Sequence, residues 1–480
     1  MSENAGARRV EQVDEVDVVV VGLGPGGEHV AQSLAQAGLR VVGVEKRLVG
    51  GECPYYGCIP SKMMLRAAHT LAEARRVDTL AGQAEVHPDY APVARRISEE
   101  ATDDWDDAVA AKRLTDAGVE LVRGTGRLDG TGTVVVTTDD GERRLTATRG
   151  VVLNCGTDPA ELPIDGLAGT PYWTNREAVQ VRELPGSLTV IGGGPIGCEL
   201  TQVFARFGVA VTLLEVGERI LGPEEPESSA LLEQVLTEEG VTILSGVGIE
   251  RVRHDETGFT VTLADGGEVA SEQLLVAAGR RLAIRDVGLE TVGLDPTARS
   301  LEVDERMRAG ERLWAIGDIT GKGAFTHVSM YQGDVVIRDV LAPEGQDGED
   351  FQGADYRAVA RVTFTDPEVG SVGMSEKQAR AAGLRVLTAH TDLASSSRGW
   401  LHGPGGVGLI KLVADADRGV LVGATSMGPT GGEVLGLLAL AVHAEVPLAT
   451  LGSMHYAFPT MHRAISTVVA DLQGQLRDGA

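Results

Sequence analysis

One pattern occurs twice in this chain, and it restricts the possible folds more than any other feature. Asp17–Glu45 reads DVVVVGLGPGGEHVAQSLAQAGLRVVGVE and Ser187–Glu215 reads SLTVIGGGPIGCELTQVFARFGVAVTLLE. Each gives a β-branched strand, a glycine turn, a helical run and a second strand closed by an acid. Both contain G-x-G-x-x-G, as Gly22, Gly24 and Gly27 and again as Gly192, Gly194 and Gly197. The first glycine makes the tight turn, the second lets the backbone reach a pyrophosphate, and the third lets helix and strand pack closely. The helix N-terminus then faces the phosphates, and the closing acid, Glu45 or Glu215, accepts ribose hydroxyls. A lone copy is weak evidence. Two copies with strand, helix and acid in step predict two dinucleotide sites, suited to one bound flavin dinucleotide and one exchangeable nicotinamide.

At 480 residues the chain is long enough for two to four domains. Its 43 Lys and Arg against 69 Asp and Glu leave a formal charge of −26. Such an acidic surface argues against nucleic acid or an anionic membrane as partner. The opening stretch MSENAGARRVEQVDEVD is polar and acidic, and no run reaches the roughly 18 apolar residues of a membrane span. A cytoplasmic protein is expected, in which structural disulfides are rare.

Between and after the repeats the pattern is less regular. Residues from about 90 to 120 read as helical, with apolar positions three and four apart in TDDWDDAVAAKRLTDAG. Short alternating strands follow from 121 to 153, ending in GVVLNCGTDP. QLLVAAGRR (273–281) and RLWAIGDIT (312–320) read as strands, the second ending at Gly317 and Asp318. An acidic linker, APEGQDGEDFQGAD, precedes a last portion with several strands and two helices. That portion has no phosphate motif, and a dimerisation domain is expected there.

GGECPYYGCIPSKMM, from Gly50 to Met64, holds two of only four cysteines, and Lys62 is one of only six lysines. Three readings apply to Cys53 and Cys58. Zinc needs four ligands, usually as two close pairs, but Cys155 and Cys198 are isolated, so no metal site is expected. Two thiols packed as small apolar groups are a second reading. The third is a reversible disulfide, which needs Cα atoms roughly 4.4–6.8 Å apart and hence a bend that Pro54 and Gly57 permit.

These residues carry a resemblance. The order of parts resembles the flavoprotein pyridine nucleotide–disulfide oxidoreductases, among them dihydrolipoamide dehydrogenase, glutathione reductase and mercuric reductase. Their G-G-T-C-x-N-x-G-C-x-P-S-K pattern is similar to GGECPYYGCIPSK, and IGGGPIGCE, VAAGRR, AIGDITGKGAFTHV and FTDPEVGSVG extend the likeness over nearly the whole chain. The resemblance implies an α/β chain with two Rossmann-like domains, for FAD and NAD(P), and a C-terminal α+β dimerisation domain. The implied ranges are 14–156 and 282–345 for the FAD and central portions, 157–281 for NAD(P) and 355–475 for the dimerisation domain.

It also implies an enzyme acting as a homodimer, its C-terminal domain facing the partner's active site, that passes electrons from NAD(P)H through FAD to a Cys53–Cys58 disulfide and on to a small acceptor. Cys58 is similar to the family's flavin-proximal thiolate and Cys53 to its interchange thiol. Lys62 would pair with Glu199 near the flavin. Glu45 would hold the adenosine ribose of FAD and Asp318 its ribityl portion. Lys46, Gly51, Gly156 and Gly279 fall in cofactor-facing motifs, and His327 is expected at the flavin site or a dimer contact. Glu215 suits the free 2′-hydroxyl of NADH, Val216 stands where NADPH-using relatives tend to carry arginine, and Arg219 is near enough to compensate.

The likeness breaks at the C-terminus. The family's H-P-T-x-x-E supplies a histidine acid–base steadied by a glutamate, whereas MHYAFPTMHRAI has Phe458 and Arg463 at those places. A positioned acid–base is worth roughly 10²–10⁴-fold, so efficient lipoamide turnover is not expected. Tyr456 is the candidate replacement donor. The expected acceptor is a disulfide or related sulfur compound. The alternative is a quinone or other non-disulfide acceptor, with ketopropyl-coenzyme M-type carbanion chemistry or a non-enzymatic redox sensor behind it. Glu52, in place of the usual threonine, would either raise the Cys53 thiol pKa or face solvent with little effect.

Overall fold

A computed structural model describes residues 13–343 and 351–478. The first twelve residues and the middle of the acidic linker, 344–350, lie outside the described residues. The chain divides into two compact units. One comprises residues up to Tyr55, Thr102–Asp158 and Arg280–Asp355; the other comprises Tyr56–Ala101, Pro159–Gly279 and the chain from Tyr356 onward.

The first unit is built on an eight-stranded sheet. Leu313–Ala315, Gly141–Leu153, Val13–Val21, Val41–Glu45 and Glu120–Arg123 lie side by side in that order, with Arg308–Gly310 at the edge. The central pairings are parallel, aligning Val18 with Val41 and Val21 with Leu153. Buried parallel strands are apolar on both faces, which is why DVVVV does not alternate with polar residues. Val19 and Val21 enter one core, and Val18 and Val20 the other. A register shift between Val16 and Val18 puts those two valines in opposite cores although they are two residues apart.

The second unit contains a four-stranded parallel sheet, ordered Thr242–Ser245, Ala210–Glu215, Ser187–Ile191 and Gln273–Val276. It also has a three-stranded antiparallel sheet and, near the C-terminus, a five-stranded antiparallel sheet running from Ala360–Thr363 at one edge to Val386–Asp392 at the other. Helices Gly431–His443 and His462–Asp478 bury Val434, Leu438, Ile465 and Val469 in the core of that last sheet.

Two expectations need correction. The last portion holds five helices among its described residues rather than two, the extra three being Glu376–Ala381, Ser397–His402 and Leu448–Ser453. At six residues each they are too short to show a helical period. Within the stretch from about 90 to 120 read as helical, 91–101 and Ala108–Asp116 are helix, but 102–107 is not. Asp103, Asp104 and Trp105 instead adopt left-handed backbone, with φ of 48°, 51° and 60°.

Candidate functional site

The two glycine motifs fold alike. At Gly22 and Gly192 φ is +92° and +111°, and a Cβ would strike the backbone of Asn154 or Ala277. At Gly27 and Gly197 a Cβ would lie 2.1 and 1.8 Å from the carbonyl oxygen of Gly22 or Gly192, so only glycine lets the helix pack this close. Gly24 and Gly194 precede twelve-residue helices and carry no side-chain cap. Their first-turn amides therefore remain for an anion.

The closing acids are held identically. Glu45 accepts from the Leu23 amide at 2.7 Å and the Arg47 amide at 2.8 Å. Glu215 accepts from the Gly193 and Gly217 amides, both at 2.6 Å. Each carboxylate thus ties its strand end to its glycine turn and keeps its charge at the turn's mouth. Arg219 is occupied elsewhere, donating to the carbonyls of Leu221, Gly222 and Glu224. Val216 stands exposed beside Glu215.

In the first unit the cysteine loop meets the first glycine motif. The Gly50 amide donates to the Leu23 carbonyl at 2.7 Å, and a Cβ on Gly51 would lie 2.9 Å from the Gly24 Cα. Cys53 follows in the short helix Glu52–Tyr55. The Glu52 carboxylate reaches the Arg280 guanidinium at 3.5 Å, with both side chains partly buried, rather than facing solvent alone. Arg280 donates at 2.6 Å to the Thr157 hydroxyl, which donates to the Asp318 carboxylate at 2.7 Å. A polar chain therefore runs from beside Cys53 to Asp318. Sequence reading named Glu52 and Asp318 but not Thr157 and Arg280, although both stand in the quoted motifs CGTDP and AAGRR. Gly156 precedes Thr157, with open space where its Cβ would be. Lys46 lies exposed after Glu45. His327 lies in the first turn of the Thr326–Leu341 helix, its ring stacked on Phe325 at 5.5 Å.

The helix Glu52–Tyr55 closes its stretch of the first unit, and the second unit begins at Tyr56. Gly57, at φ −127° and ψ −111°, breaks the backbone, and Cys58 opens the 23-residue helix Cys58–Leu80. A thiolate at a helix N-terminus is favoured by the helix dipole. One turn on, the Lys62 ammonium lies 2.7 Å from the Glu199 carboxylate and 4.8 Å over the Phe364 ring. The other Glu199 oxygen accepts from the Phe364 amide at 2.8 Å. Phe364 was not named from the sequence, although FTDPEVG was singled out. Gly279, at φ +114°, likewise faces open space.

The remaining thiols differ in kind. Burial pushes Cys155 up to about 12 and Cys198 further still. A raised thiol pKa disfavours the thiolate, which is the reactive form. At the C-terminus, Phe458 is 71% exposed. The Tyr456 hydroxyl donates to the Leu451 carbonyl at 3.1 Å, and burial raises its pKa. Arg463 donates to the Ser466 hydroxyl. Among the described residues no group of three or more His, Cys, Asp or Glu is placed to hold a metal ion, and no helix is long and apolar enough to cross a membrane.

The family model for pyridine nucleotide-disulphide oxidoreductases matches residues 16–333, and that for the dimerisation domain of the same proteins matches 359–469. The chain belongs to this family. A dihydrolipoyl dehydrogenase of Halobacterium salinarum is 33% identical over 93% of this chain and 94% of that protein. A mercuric reductase of Streptomyces lividans is 32% identical over 94% of each. Among solved structures, the Cu(II) complex of the HOCl-induced flavoprotein disulfide reductase RclA from Escherichia coli superposes with a TM-score of 0.82. Its sequence is 25% identical, covering 96% of this chain and all of that one.

As a member of the pyridine nucleotide-disulphide oxidoreductases, the protein is an NAD(P)H-dependent flavoprotein oxidoreductase of α/β fold, with FAD and a nicotinamide dinucleotide as its cofactors. Its residues fit those groups. Uncapped helix N-termini at Gly24 and Gly194 suit two pyrophosphates, and the amide-bound carboxylates Glu45 and Glu215 suit two riboses.

Proposed function

We propose that the protein takes a hydride from NADH and delivers two electrons, through a redox-active Cys53–Cys58 couple, to a disulfide or related sulfur acceptor. The observation that carries this reading is the placement of the cysteines. Cys53 lies on the loop packed against the first glycine motif, and Cys58 opens a long helix one turn before the Lys62–Glu199 pair.

Gly22, Gly24, Gly27, Glu45, Lys46, Gly51, Gly156 and Asp318 would hold FAD, with His327 at its margin. Gly192, Gly194, Gly197, Glu215 and Gly279 would hold the nicotinamide dinucleotide. When bound, FAD supplies the hydride acceptor between the nicotinamide and the sulfurs. Lys62, fixed by Glu199, stabilises negative charge developing nearby. Cys53 attacks the acceptor sulfur. NADH is preferred because Glu215 is fixed by two amides and repels a 2′-phosphate, while Arg219 is committed to three carbonyls.

In this reading Phe458 occupies the place of the family's imidazole, the Tyr456 hydroxyl is structural, and water protonates the leaving thiolate. We further assign residues 14–156 and 282–345 to FAD, 157–281 to the nicotinamide and 355–475 to dimerisation. The protein acts in the cytoplasm as a homodimer whose C-terminal domain faces the partner's site.

A second reading has one specific support. With Phe458 and Arg463 in the dyad positions, an acceptor that needs no general acid is favoured, such as a quinone or an oxidising metal ion. Mercuric reductase and the Cu(II) complex of RclA are among the similar proteins. Replacing Cys53 by Ser and assaying NADH oxidation with lipoamide, low-molecular-weight disulfides, quinones and Cu(II) separates the two. Loss with every acceptor supports the first reading. Turnover kept with quinone or Cu(II) supports the second.

A further inference from the structure

Residues 102–107, read from the sequence as helix, form a turn whose side chains close on both ends of the cysteine loop. The Trp105 indole N–H donates to the Tyr55 carbonyl at 3.0 Å, two residues after Cys53. The Asp107 carboxylate accepts from the Val49 amide at 2.5 Å, four residues before Cys53. Its other oxygen accepts from Arg123 at 2.8 Å, and Arg123 in turn donates to the Arg47 carbonyl at 2.8 Å. Between the braced ends the loop rests on the first glycine motif through Gly50 and Gly51.

Three successive non-glycine residues in left-handed backbone are costly, and such strain persists only where surrounding structure over-determines it. Here the over-determining contacts are the bonds to Tyr55 and Val49. We propose that Trp105 and Asp107 are positioning residues for Cys53, holding its loop in the reactive conformation from outside the cysteine motif. This rests on reading Cys53 as a redox thiol.

The test uses Trp105→Phe, which keeps an aromatic ring and removes the N–H. Holoenzyme reduced with NADH is alkylated with iodoacetamide from pH 6 to 9. Labelling of Cys53 is located by fragmentation of the 48–62 peptide, with flavin content and Tm measured alongside. The expected result is a change of at least about threefold in the Cys53 alkylation rate and a moved pH midpoint, at unchanged flavin content. Asp103→Gly, which relieves strain but keeps both bonds, is expected to leave Cys53 unchanged. An identical rate and midpoint in Trp105→Phe overturns the proposal. Should wild-type Cys53 itself stay unlabelled after NADH, the redox reading has failed instead. If Trp105→Phe does not accumulate, amide exchange of wild-type Val49 decides: protection of about tenfold or more supports the brace, and exchange at the unprotected rate overturns it.

Discussion

The Lys62 ammonium and the Glu199 carboxylate meet at 2.7 Å, and Glu199 is almost entirely buried while Lys62 remains 35% exposed. The pair joins helices Cys58–Leu80 and Pro195–Arg206, four residues from Cys58 on one and two residues from Gly197 on the other. Glu199 is fixed a second time by the Phe364 amide, so the ammonium is aimed rather than merely attracted. Replacing Lys62 by Met should lower the rate of flavin reduction by NADH about 10²-fold, as removal of a preorganised charge does elsewhere. Stopped-flow bleaching of the flavin band measures this. Glu199→Gln should give a smaller loss, since the ammonium stays but is less well aimed.

The four thiols should divide sharply. Burial pushes Cys155 up to about 12 and raises Cys198 as well, so little of either is thiolate at pH 8. After reduction, iodoacetamide at pH 8 should label Cys53 and Cys58 and leave the other two unmodified while the chain stays folded. Comparable labelling of Cys155 would show that its burial does not control it.

Nicotinamide preference follows from Glu215 and its neighbours. The enzyme should favour NADH over NADPH by about tenfold or more in kcat/KM. Val216→Arg should raise kcat/KM for NADPH by about tenfold, the worth of one charge-assisted contact. Steady-state kinetics with both dinucleotides decide this, and equal use of the two would contradict it.

Acid should destabilise the second unit through His69. Burial lowers its pKa to about 4, against the nearby Asp366 carboxylate, which works to raise it. Unfolding restores the ordinary value near 6.5, so the unfolded chain binds the extra proton between those limits. Stability on this account is complete above about pH 6.5 and falls as pH drops toward 4, by at most about 3 kcal/mol. His69→Gln should flatten that part of the stability–pH profile measured by denaturant unfolding.

The missing dyad makes its own prediction. Phe458→His with Arg463→Glu should raise lipoamide turnover by about 10²-fold or more if the absent acid–base sets acceptor choice. No rise in the double variant would show that some other feature sets it.

What could be read from the sequence follows from how local the causes are. The glycine motifs, their strands and their closing acids were legible because each requirement acts over a few residues. Gly27 must be small because Gly22 is five residues away. The turn at 102–107 was not, because its partners, Tyr55 and Val49, lie about 50 residues upstream. Left-handed backbone at two aspartates and a tryptophan has no compositional mark, and the apolar spacing of the following helix reads backward through it. The partner of Glu52 was hidden for the same reason: Arg280 is more than 200 residues away. Phe364 contributes a backbone amide to Glu199, a role that no side-chain motif encodes.

The central claim is that Cys53 and Cys58 exchange electrons as a pair between bound flavin and acceptor. Anaerobic NADH addition to the air-oxidised holoenzyme, followed by quenching with iodoacetamide and mass analysis of the 48–62 peptide, tests it most directly. The account predicts no label on either cysteine before NADH and two labels per chain after it. Labelled cysteines before NADH, or an unlabelled peptide after NADH has been oxidised with no acceptor present, would contradict it.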